Sequence, residues 1–98
     1  MEQIILNIII QSGDARSFAM EAIQCAKAGD FDKARDLMEQ SNGKLGCAHK
    51  EQTKLIHAEA GGEKTEITLL LIHAQDHLMT AITVKDLANE LIEVYSRL

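Results

Sequence analysis

The chain has 98 residues and a formal net charge of −5; 46% of it is apolar but only 3% aromatic, and it contains no proline. That length suits one domain with a marginal core that gains from oligomerisation, and the lack of proline leaves long helices unhindered. The acidic balance and the absence of a Lys/Arg cluster argue against nucleic acid or an anionic membrane as partner, and no run reaches the ~18 apolar residues of a membrane span.

Residues 1–6 lack the basic start and small-residue cleavage site of a signal peptide. Cys25 and Cys47 are far apart and form no CxxC pair. Two free thiols and a cytoplasmic location are therefore expected.

The first predicted helix runs from about residue 4 to 28. It is apolar early (Ile4, Ile5, Leu6, Ile8, Ile9, Ile10) and alanine-rich late (Ala15, Ala19, Ala22, Ala26). Ser12-Gly13-Asp14 is a candidate kink or break, because an interior glycine costs roughly 1 kcal/mol relative to alanine. At Ala28-Gly29-Asp30, Gly29 can take the left-handed residue that ends a helix and Asp30 can cap the next.

The second predicted helix runs from about 31 to 59, with a 3–4 repeat through Phe31, Ala34, Met38, Ser41, Leu45, Ala48, Gln52 and Leu55. His49 and His57 lie on it without ligand partners at matching spacing and read as structural or surface residues. Gly61-Gly62 ends it, and Thr65 is the expected cap of a third helix over about 65–97.

That third helix carries the cleanest repeat: Ile67, Leu70, Ala74, His77, Ala81, Val84, Ala88, Leu91, Tyr95 and Leu98. No strand-length alternation occurs anywhere. Two short connections between long helices predict an all-α, up-down-up antiparallel three-helix bundle in a single domain over residues 1–98. The apolar sector of the third helix spans roughly 200°, against the ~100° stripe of an ordinary surface helix. The excess points to packing inside its own bundle and against other chains, hence to a homo-oligomer.

Within that sector lies His73-Ala74-Gln75-Asp76-His77. At about 100° per residue, with His73 at zero, His77 falls near +40° and Asp76 near −60°. An ionised carboxylate among apolar neighbours needs a cation or hydrogen bonds. No Lys or Arg sits one helical turn from Asp76, whose neighbours there are Ile72, His73, Met79 and Thr80. Its partner must come from another helix, another chain or a metal.

Spacing alone leaves three readings open. One is a satisfied histidine pair with Asp76 as acceptor. Another is a zinc hydrolase helix, since H-x-x-D-H approaches H-x-x-E-H, although Asp replaces the general base and no third ligand is obvious. The last is nucleophilic chemistry by an imidazole, with a phosphoryl group as natural passenger.

His73-Ala74-Gln75-Asp76-His77-Leu78-Met79-Thr80 strongly resembles the motif of the lactose/cellobiose-type enzyme IIA components of the bacterial sugar phosphotransferase system. Ser12-Gly13-Asp14-Ala15-Arg16-Ser17, Ala26-Lys27-Ala28-Gly29-Asp30-Phe31 and Gln52-Thr53-Lys54-Leu55-Ile56 are similar to that family as well. The resemblance implies a homotrimer of three-helix bundles with the third helix central. It implies a phosphorylated histidine at His73 and a divalent cation, expected to be Mg2+, held on the three-fold axis by Asp76 of each chain.

The implied phosphate donor is the histidine phosphocarrier protein, and the implied acceptor is a cysteine of the cognate IIB component, during disaccharide uptake. His77 is then the candidate hydrogen-bond donor to the phosphoryl oxygens. Gln75 points roughly 160° from His73 on the wheel. It could reach the phosphate only from an adjacent subunit, and otherwise reads as a solvated face residue. A modest apolar patch is expected around His73, because such a carrier docks proteins and not free sugar. The competing reading is a non-enzymatic helical oligomer or adaptor with a structural His/Asp cluster.

Overall fold

A computed structural model describes residues 1–98, and it consists of three α-helices without strands. Helix α1 spans Glu2–Lys27, α2 spans Phe31–Ala60 and α3 spans Leu69–Ser96. They form a three-helix bundle with principal extents of 52 × 21 × 18 Å.

The first connection follows its sequence signals. Gly29 takes φ +83, a left-handed value open to glycine without a Cβ clash. The Asp30 side chain then accepts from the Lys33 backbone N–H at 3.1 Å and caps α2. The Ser41 hydroxyl donates to the Ala15 carbonyl at 2.7 Å, and Lys44 Nζ lies 3.7 Å from the Asp14 carboxylate. Positions about equally far from the 28–30 turn thus lie side by side.

Two expectations are corrected. Helix α1 runs unbroken through Ser12-Gly13-Asp14, because Ser12 and Ala15 are fully buried in the packed interface that this turn serves. Tertiary packing outweighs the glycine penalty. Helix α3 begins at Leu69, not at Thr65: residues 63–68 are non-helical, and the Thr68 hydroxyl accepts from the Leu71 N–H at 3.1 Å. Starting at Thr65 would commit β-branched Ile67 and Thr68 to a helix, whereas Thr68 directly precedes three leucines.

The core is built from small residues. Ala15, Ala19, Ala22 and Ala26 recur every three or four positions along α1, and all are buried. They let the other helices approach closely, with Leu45, Leu55, Leu71 and Leu78 filling one end and Leu37 and Met38 the other. The α2 repeat is buried as expected, with Leu37 added and Phe31 and Gln52 half-buried.

The α3 repeat is only partly the observed one. Ala74, Ala81 and Ala88 face inward as predicted, but Leu71, Leu78 and Ile92 take the places assigned to Leu70, His77 and Leu91. A sector of roughly 200° allows more than one stripe to serve as the seam, and the helices beside α3 select between them. The consequence is a second apolar stripe left in solvent: Leu69 is 82% exposed and Leu87 58%, with Ile72, Met79 and Val94 between and beyond them.

Leu78 is 1% exposed and belongs to the buried cluster that includes Ile8, Ala15, Leu45, Ala48 and Leu71. Leu78→Ala should lower the unfolding free energy by about 2–5 kcal/mol. Urea titration followed by helical circular dichroism measures this, and a loss well under that range would contradict the packing described.

Candidate functional site

Helix α3 brings His73 and His77 onto one face, one turn apart. Their Nε2 atoms are 3.1 Å apart, and the rings meet edge to face with centroids 4.4 Å apart. One Nε2 must carry a proton and the other accept it, since two protonated nitrogens or two lone pairs would repel at that distance. His73 is exposed and His77 half-buried. The imidazole picked out from the sequence is therefore open to a visiting molecule, and its inner partner is held by packing.

The two rings lie in an open cleft of about 150 Å³ between α1 and α3, lined by Ser12, Arg16, His73, Asp76, His77 and Thr80. No apolar residue lines it. The expected apolar patch lies beside His73 but outside this cleft: Leu69 and Leu70 are exposed one turn from it on α3, while the cleft facing α1 is polar. The reason is that α1 reaches this height of the bundle with its Ser12–Arg16 turn, not with its isoleucines.

Asp76 is exposed and forms no ion pair with any Lys or Arg of the chain. It borders this cleft and also a larger one, about 300 Å³, that holds Gln52, Ile56, Ile72 and Gln75. No three metal-ligating side chains converge within the chain, so the H-x-x-D-H spacing builds no zinc site here. His49 and His57 are both exposed on α2, away from these clefts, in keeping with their reading as surface residues.

Gln75 is half-buried and not simply solvated. Gln52 of α2 donates its side-chain N–H to Gln75 Oε1 at 3.0 Å, which fixes the amide and leaves its NH2 group free to donate. Sequence reasoning missed Gln52, Ser12 and Arg16 as neighbours of the site. All three lie in stretches that resemble the IIA family, and Ser12 and Arg16 also share one helical face, but the Ser12–Asp14 stretch read as a candidate kink and none was placed at the site.

Fold and site together define a small all-α protein that presents an exposed imidazole, paired with a second one, in a shallow polar cleft, an arrangement open to other macromolecules. Residues 3–96 match the family described as "PTS system, Lactose/Cellobiose specific IIA subunit". Over its whole length the chain is 57% identical to the lichenan-specific phosphotransferase enzyme IIA component of Bacillus subtilis, covering 89% of that protein.

It is similar to the crystal structure of the PTS cellobiose-specific enzyme IIA from Bacillus anthracis, with TM-score 0.96 and 56% identity over 98% of this chain and 88% of that one. It is also similar to the IIA component in the solution structures of the IIA(chitobiose)–HPr complex of the Escherichia coli phosphotransferase system. There the TM-score is 0.85 and the identity 46%, over 98% and 93% of the two chains. The chain belongs to the lactose/cellobiose-specific IIA family and is a phosphotransferase component of a sugar phosphotransferase system. None of its helices is long and apolar enough to cross a membrane.

The His73–His77 contact has its own signature. Long-range 1H–15N correlation spectra should resolve one protonated and one unprotonated Nε2 across the pair. His77→Ala should remove that asymmetry and leave His73 in a mixture of tautomers. A His73 spectrum unchanged by His77→Ala would mean that the two rings do not share a proton in solution.

Proposed function

We propose that His73 is the phosphorylated residue of this IIA component, taking phosphate from the histidine phosphocarrier protein HPr and handing it to a cysteine of a cognate IIB component during disaccharide uptake. The observation that carries this is the exposed His73 ring with its Nε2 held by His77 Nε2 at 3.1 Å. The HPr complex of the E. coli chitobiose relative supports the choice of donor. The cytoplasm, where such donors work, is the expected compartment.

In this reading His73 is a neutral imidazole protonated on Nδ1, and its Nε2 lone pair accepts from the His77 Nε2–H. During transfer that lone pair forms the new N–P bond. The N–P bond of the donor phosphohistidine breaks in line, and its electron pair returns to the donor nitrogen. The attacking and leaving imidazoles each keep their second N–H, so no net proton transfer is required. The His77 Nε2–H, released from the lone pair, donates to a phosphoryl oxygen. Gln75, whose NH2 group is left free to donate, contacts the phosphoryl group of an adjacent subunit.

The up-down-up course of the helices in one IIA-type domain, and its assembly as a homotrimer with α3 central, belong to the same reading. The stripe of Leu69, Ile72, Met79, Leu87 and Val94 supports it, because exposed leucines at this spacing on one helix call for a covering surface. Asp76 lies within that stripe and is unpaired in its own chain. A single carboxylate cannot hold a metal, but three copies meeting on an axis make an all-oxygen donor set suited to a hard divalent cation such as Mg2+. That ion, when bound, would cancel the repulsion of three converging carboxylates.

Incubation with phosphorylated HPr is expected to add one acid-labile phosphate per chain, and His73→Ala to abolish the gain. Full phosphate uptake by His73→Ala would overturn the assignment. Native mass spectrometry is expected to show a trimer. Asp76→Leu should keep that trimer or tighten it, since apolar packing replaces buried like charges. A parent protein that sprays as a monomer would refute the assembly.

A further inference from the structure

The cleft beside His73 has a wall that family membership leaves without a role. It is the Ser12–Arg16 turn of α1. From it we infer that α1 supplies the phosphoryl-binding cradle, with the Arg16 guanidinium and the Ser12 hydroxyl donating to the phosphoryl oxygens carried by His73. The inference rests on the reading of His73 as the phosphorylated residue.

Charge points this way first. A phosphoryl group on His73 brings close to two negative charges at neutral pH, and Asp76 already contributes a carboxylate to the same cleft. Arg16 is the only Lys or Arg among the residues that line it. Arg16 is also uncommitted. It takes part in no ion pair, and the nearby acid Asp14 is occupied by Lys44 at 3.7 Å. The residues one turn from it on α1, Ser12, Gly13, Ala19 and Met20, include no acid. A planar guanidinium that is exposed and unpaired can swing onto two phosphoryl oxygens at once.

The second observation is independent of charge. Ser12 is fully buried, yet its hydroxyl has no hydrogen-bond partner. A buried hydroxyl left unsatisfied is costly, and alanine would serve the packing at this position as well as it does at Ala15, Ala19 and Ala22. Ser12 is among the residues that line the cleft, one turn from Arg16 on the same face. An oxygen-rich group entering between α1 and His73 would give it the acceptor it lacks. The cradle thus reads as half-built in the free protein and completed by the phosphoryl group.

The test separates holding the phosphate from receiving it. The protein is equilibrated with a fixed mixture of HPr and phospho-HPr, and the acid-labile mass gain at equilibrium reports how well the phosphoryl group is held. Arg16→Gln is expected to lower that transfer equilibrium constant about tenfold, and Arg16→Lys to restore part of it, because lysine returns the charge without the fork. Ser12→Ala is expected to lower it about threefold while leaving the thermal midpoint equal or higher.

Circular dichroism and native mass confirm that each variant keeps its fold and assembly. An Arg16→Gln equilibrium constant within about twofold of the parent overturns the cradle, even if the approach to equilibrium slows, since slowing alone would assign Arg16 to docking the donor. If His73→Ala still abolishes uptake in that case, the nucleophile assignment stands and only the cradle falls. If His73→Ala retains uptake, both fall.

Discussion

The rotational setting of α3 about its own axis is the constraint on which the rest depends. With Ala74, Ala81 and Ala88 against α1 and α2, Leu78 is sealed, His77 is held at the boundary and His73 emerges beside it. A turn of one residue either way would bury His73 or carry it away from α1. The setting is favoured by the buried face of α1, where Ser12, Ala15, Ala19, Ala22 and Ala26 allow close approach. Buried packing at one end of the bundle and chemistry at its surface are thus the same structural choice.

That choice also explains why so apolar a helix is left incompletely covered. Ninety-eight residues offer three helices, and two neighbours cannot cover an apolar sector of roughly 200° on the third. The remainder, Leu69 through Val94, has Asp76 within it. A carboxylate in such a place is costly unless something neutralises it. The features that would stabilise an assembly and those that would place one charged group at its centre therefore sit on one strip of surface, next to the imidazole pair but separate from it. His73 can then be reached from one side while the strip is covered from the other.

Much of this was legible beforehand. The HAQDH run, the two glycine breaks, the Asp30 cap and the α2 repeat are local signals, and the chain obeys them because turn geometry and helix periodicity are set by residues a few positions apart. The unbroken course of α1 through Gly13, the start of α3 at Leu69 rather than Thr65, and the exchange of Leu71 and Leu78 for Leu70 and His77 were not legible. The first and last are decided by what lies across the interface, since a helix that is apolar on most of its circumference does not announce which side is inward; the start of α3 follows a local choice between two threonine caps.

The site divides along the same line. Residue identities alone determined that an imidazole pair and a carboxylate would share one stretch of helix, because i and i+4 always face together and an imidazole is a competent nucleophile wherever it is exposed. Only the tertiary structure decided their company. It placed the Ser12–Arg16 turn across from His73, tied Gln75 to Gln52 at 3.0 Å, and made the cleft that His73 shares with α1 polar. Those pairings join residues 23 to 61 positions apart in the chain, and a separation of that size leaves no periodic trace; only the packing of three helices brings them together.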